Sequence, residues 1–173
     1  VGKTKGWYDV EGMVQFLKAA SGIFQPLTLL VLTTEDPSVF SELCEPAGIK
    51  HVIRSAKPGE VPSYLSAADV GLCFRHRFPS QLSCSPIKLA EYLACGLPVV
   101  ATSGCGDYDE LIAAERVGVV VPRASDDAAL AAAHQLEALL AERAIGERCR
   151  STAERFLGLD EVVVPRYSEI YER

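Results

Sequence analysis

The chain has 173 residues, enough for one hydrophobic core and too few for two large domains. Hydrophobic residues make up 49% and charged residues 23%, the balance of a soluble globular domain, which argues against disorder; no apolar run is long enough to cross a bilayer. The net charge of −6 argues against a general nucleic-acid binder but leaves room for one small anionic ligand where basic side chains gather.

The chain opens on Val1-Gly2-Lys3-Thr4 with no signal core, and reads as a cut end: a strand closing at Val1-Gly2, its earlier residues outside the chain. Asp9 to Ala20 is a predicted helix with Val10, Met13, Val14 and Leu17 on one face. The continuous apolar run Leu27–Leu32 predicts a strand buried on both faces. Asp36 is placed to cap a helix from Pro37 to Ala47, with proline at the first helical position. A short strand His51–Ile53, a short helix Pro62–Ala68 and a strand Asp69–Phe74 follow. Pro86 to Cys95 predicts a helix stopped by Gly96, with Pro98 just beyond. Then come a strand Leu97–Ala101, a helix from Asp107 or Asp109 to Arg116, and a strand Val117–Val121 closed by Pro122. Ser125 is placed to cap an alanine-rich helical stretch from Asp126 to Phe156, broken near Gly146, and Glu161–Glu172 is a last helix. Strands alternating with helices at this spacing predict a Rossmann-like, three-layer α/β/α fold on a parallel sheet, with its ligand beyond the carboxyl ends of the strands.

The six cysteines form no CxxC pair and the three histidines show no ligand spacing, so a disulfide framework, a zinc site or another metal centre is not expected, and the compartment reads as reducing and cytoplasmic.

The stretch from Ser83 to Val100 is the most informative. A serine-rich loop enters a helix with proline near its start, so free first-turn amides attract an anion. Lys88 and Glu91, three apart on one face, are the charged residues of an otherwise apolar helix. A lysine in the first turn opposes the helix dipole, which a bound anion explains; a carboxylate one turn deeper can accept both protons of a sugar diol. The alternative is a surface ion pair worth a few tenths of a kcal/mol.

Ser85-Pro86-Ile87-Lys88-Leu89-Ala90-Glu91-Tyr92-Leu93-Ala94-Cys95-Gly96-Leu97-Pro98-Val99-Val100 closely resembles the donor-site segment of GT-B glycosyltransferases of the group 1, family-four type. The resemblance extends to Gly2 after the first strand, to Tyr64–Leu72, to Gly104-Cys105-Gly106 with Glu110-Leu111-Ile112, to Gly118–Pro122, and to Tyr167–Tyr171, which looks like the helix that crosses back to a partner domain. It implies one donor nucleotide-sugar domain over residues 1–173, with 159–173 the crossing helix and an N-terminal acceptor-binding domain elsewhere in the enzyme.

By that resemblance Glu91 is the second glutamate of a Glu-x7-Glu motif and contacts the ribose, while the amides around Ser85, Pro86 and Ile87 line the diphosphate, proline donating none. The first glutamate falls at Ser83, which puts the usual sugar contact in doubt. The family's phosphate-gripping cations map to Lys3 and Lys5, with solvated loop lysines as the alternative reading of both. Arg75-His76-Arg77, at the ligand edge, reads as a diphosphate or sugar contact or as a solvated loop. Backbone groups of Arg54 and Ser55 fall where the family reads the base, and Gly104 and Gly106 let the backbone approach the sugar or simply turn the chain. Cys105 has no neighbouring histidine and is not expected to be a nucleophile.

The resemblance implies transfer of a hexosyl group, with retention, from a UDP- or GDP-sugar to an acceptor hydroxyl in bacterial surface polysaccharide synthesis. It implies no metal or cofactor, with Lys88 and Lys3 stabilising the departing diphosphate, and membrane contact, if any, through the other domain. The isolated chain is expected not to transfer sugar. A sugar-nucleotide epimerase of the same fold and a non-catalytic nucleotide-sugar-binding module are the competing readings.

Overall fold

The computed structural model describes residues 1–3, 6–85, 87–122 and 125–171. Helix α1 (Val10–Ala20) starts where Asp9 accepts a hydrogen bond from the Gly12 amide at 2.8 Å, and its buried face carries Val10, Met13, Val14, Phe16, Leu17 and Ala20. Strand β1 (Thr28–Leu32) leads to α2 (Ser38–Cys44) and β2 (Lys50–Arg54). Helix α2 is shorter than its pattern predicted. Pro37 is the N-cap instead of the first helical residue, Asp36 accepts from the Ser38 amide at 3.0 Å, and Pro46 has no N–H with which to continue the ladder. Helix α3 (Val61–Leu65), entered by a 3-10 turn at Pro58–Glu60, ends before Ala68, and β3 is trimmed to Gly71–Cys73.

Helix α4 (Ile87–Ala94) follows a 3-10 turn at Pro79–Ser83. It stops as predicted at Gly96, whose φ is +81°: the Gly96 amide donates to Leu93 and the Leu97 amide to Tyr92, both at 2.9 Å. Strand β4 (Val99–Thr102), α5 (Tyr108–Glu115) and β5 (Gly118–Val121) complete the alternation. The Ser125 hydroxyl caps α6 (Asp126–Leu140). The break after α6 falls at residues 141–144, near Gly146 as expected; Gly146 itself lies in the first turn of α7 (Ile145–Leu157) and faces the carbonyl of Gly96 at the end of α4. A π-helical turn, Leu159–Val163, leads into α8 (Val164–Tyr171).

All strand pairs are parallel, but the described residues form two blocks, β1–β2 and β3–β4–β5, rather than one sheet. The expected strand at Val1–Gly2 is represented by one bond, from the Gly2 amide to the Leu32 carbonyl at 2.9 Å. An apolar cavity of about 670 Å³ lies between the blocks, walled by β1, by residues 67–72, and by Met13 and Leu17 of α1 and Leu136 of α6.

Alternation along β4 assigns the two faces. Val100 packs with α1, α6, Val119 and Val121, whereas Val99 and Ala101 pack with α4, α5 and α7 through Leu89, Leu93, Ile112 and Cys149. These are the two helical layers of a Rossmann-like domain. Gly71 permits the second layer to approach, since a Cβ there would meet the Tyr92 ring.

Candidate functional site

Four segments meet at the carboxyl edge of the β3–β4–β5 block. The chain leaves β3 through Phe74 into Arg75, whose backbone is fixed on two sides. An antiparallel bridge pairs it with Tyr8, and the Thr102 hydroxyl accepts from the Arg75 amide at 2.9 Å and donates to its carbonyl at 3.1 Å. Flanking bonds from Asp9 to Phe74 and from His76 to Trp7 lengthen this join between the N-terminal loop and the sheet edge.

The Arg75 guanidinium stands 5.7 Å from the ring centres of both Trp7 and Tyr8, and its Nε donates to Gln81 Oε1 at 2.7 Å. The Tyr8 hydroxyl approaches Gly2, where a Cβ would lie 3.1 Å from it and 3.7 Å from Lys88 Cε. Gly2 (φ +130°) is thus packed between Tyr8 and α4, and Arg75, Tyr8, Gly2 and Lys88 form one contiguous strip.

Lys88 Nζ donates to Glu91 Oε2 at 2.8 Å, with the side chains 27% and 36% exposed. The ion pair weighed from the sequence therefore forms, at the mouth of the site and partly shielded from water. Deeper on α4, the Tyr92 hydroxyl accepts from the Val1 nitrogen at 3.0 Å. Burial raises the Tyr92 hydroxyl.

The Ser85 and Tyr108 hydroxyls are bonded at 2.9 Å. Burial raises the Tyr108 phenol, with the Ser85 bond acting in the opposite sense. The Gly104 amide donates to Asp109 at 2.9 Å, and the Arg77 guanidinium lies beside Gly104. The Gly106 amide is already donated to the Gln81 carbonyl at 3.0 Å. Cys105 is buried, donates to Gln81 Oε1 at 3.7 Å and is raised chiefly by burial, the protonated state of an unreactive thiol.

Gly2, Arg75, Ser85, Lys88, Glu91, Gly104 and Gly106 are thus brought to one edge, with Lys3 exposed beside Gly2 and Ile87 71% exposed at the start of α4. Ser83 is exposed in the loop before α4. Arg54 and Ser55 are exposed at the end of β2, in the other block, and no described bond links their side chains to this cluster. Pro86 and Lys5 lie outside the described residues. The sequence reading missed Tyr8, Gln81 and Tyr108, whose spacing carries no signal. Among the described residues no group of three or more His, Cys, Asp or Glu side chains is arranged to hold a metal, the six cysteines are free, and no helix is long and apolar enough to cross a membrane.

With this geometry in place, the family can be stated: the chain belongs to the group 1 glycosyl transferases, whose family model matches residues 1–141. The fold is that of a Rossmann-like GT-B half domain, shared with solved structures of low identity. WaaG, a glycosyltransferase involved in lipopolysaccharide biosynthesis, is similar at 24% identity and a TM-score of 0.72, over 91% of this chain and 42% of its own. The C-terminal domain of LpcC, a group 1 family glycosyl transferase from Francisella tularensis, is similar at 18% identity and a TM-score of 0.65, over 94% of this chain and 84% of its own. The pneumococcal O-GlcNAc transferase GtfA, solved with UDP and GlcNAc, is similar at 17% identity and a TM-score of 0.66, over 95% of this chain and 33% of its own. This chain therefore spans less than half of WaaG and of GtfA. No curated protein sequence matches it.

Proposed function

We propose that this chain is the donor domain of a glycosyltransferase and binds a UDP- or GDP-sugar at the edge formed by Gly2, Arg75, Lys88 and the start of α4. The observation that carries this is the convergence of Lys88 and Arg75, from separate segments of an acidic chain, on either side of Tyr8 and Gly2. A diphosphate seated there meets two cations and the free first-turn amides of α4. Lys88, Arg75 and the nearby Lys3 would offset the charge that builds on the diphosphate as the sugar leaves, a duty that needs no metal. Glu91, one turn deeper, takes the ribose hydroxyls, and Gly104 gives the sugar room. Backbone groups of Arg54 and Ser55 would meet the base.

The whole enzyme in this reading adds an N-terminal acceptor-binding domain, with 159–173 crossing back to it. It transfers a hexosyl group with retention to an acceptor hydroxyl, in a reducing bacterial cytoplasm and in surface polysaccharide synthesis. WaaG's part in lipopolysaccharide biosynthesis and GtfA's bound UDP support this line. Calorimetric titration of this chain with UDP and GDP tests the donor site, with inorganic pyrophosphate as control. Binding of neither nucleotide above pyrophosphate would overturn it. Exposed Ser83, where the family pattern has glutamate, favours a second reading, a binding module that has lost transfer. Turnover by the full-length protein on a panel of sugar nucleotides separates the two.

A further inference from the structure

Gln81 is 1% exposed, unusual for a glutamine, and three segments of the site are tied to it. Its backbone carbonyl accepts from the Cys84 amide and the Gly106 amide, both at 3.0 Å, holding the loop before α4 against the Gly104–Gly106 turn. Its side-chain oxygen accepts from Arg75 Nε at 2.7 Å, while its Nε2 is buried with no partner among the described residues. A buried amide nitrogen left unpaired costs free energy, so the side chain is not there for fold stability alone.

The consequence falls on Arg75. With Nε engaged and the guanidinium held against Trp7 and Tyr8, its two terminal nitrogens make no hydrogen bond to a described residue. A planar cation fixed at one corner, with its fork free, suits two oxygens of an anion.

We propose that Gln81 is a positioning residue for the donor site: its side-chain oxygen aims the Arg75 fork at the diphosphate, a role separate from the loop-tying done by its backbone. This rests on the donor reading above and adds how that site selects a diphosphate over a monophosphate.

The two roles separate in Gln81→Met, which keeps the backbone carbonyl and removes both the acceptor and the orphan nitrogen. Trp7 is the chain's single tryptophan, so its emission reports the Arg75 guanidinium directly. The expected result is a shift in Trp7 emission in Gln81→Met that Arg75→Ala reproduces and the double variant does not exceed. In titrations with UDP, GDP, UMP and GMP, Gln81→Met is expected to lose roughly tenfold in diphosphate affinity and little for the monophosphates, the scale of one charged hydrogen bond. Arg75→Ala should show the same loss, without additivity in the double variant. Unchanged Trp7 emission, or equal losses for mono- and diphosphates, overturns the proposal while leaving the donor reading intact. Binding of no nucleotide by the native chain overturns both. Should Gln81→Met not fold, Arg75→Lys keeps the charge but lacks the Nε donor; native-like diphosphate preference in that variant overturns the proposal equally.

Discussion

The two blocks of strands differ in what each is asked to do. The β3–β4–β5 block is closed: β4 is buried along its whole length, paired on both sides and covered by helices on both faces. It carries Arg75, the glycine turn and α4 at its carboxyl edge. The β1–β2 block has one strand pair and ends in exposed Arg54 and Ser55, whose side chains no described bond links to the cationic strip. The cationic strip belongs to the closed block, because a cationic side chain can be aimed only from backbone that its neighbours over-determine.

The largest test of this contrast is in stability. Leu93→Ala, at a fully buried position in the closed block, is expected to cost about 2–5 kcal/mol, and Arg54→Ala, exposed at the end of β2, less than about 0.5 kcal/mol. Urea denaturation measures both, and equal losses would break the comparison.

Ligand binding sharpens the comparison. Lys88→Ala should weaken UDP or GDP by roughly 1–3 kcal/mol in calorimetry, and Arg54→Ala, which keeps the backbone groups, by less than about 0.5 kcal/mol. Unchanged affinity in folded Lys88→Ala would return that lysine to its ion pair with Glu91. The smallest expected effect is in discrimination: native chain should prefer the ribonucleotide to its 2′-deoxy analogue, and Glu91→Ala should lose most of that preference. Equal discrimination by both proteins would make Glu91 structural.

The sequence by itself determined the order of elements, the capping of α6 by Ser125, the stop of α4 at Gly96, and the family, because each is written in residues near one another along the chain. Periodicity, cap chemistry and the run from Ser85 to Val100 are local signals. It also placed Lys88 and Glu91 on one face of a helix, since three residues' spacing fixes that. Tertiary structure decided the rest. It packed Gly146 against the end of α4 and set Arg54 and Ser55 apart from the cationic strip. It also gathered Tyr8, Arg75, Gln81 and Gly106 from four separate segments. A glutamine in a short 3-10 turn carries no periodic mark of its contacts. That Gln81 is buried, and that its oxygen meets Arg75, follows from how loops pack over a sheet edge, which no local pattern encodes.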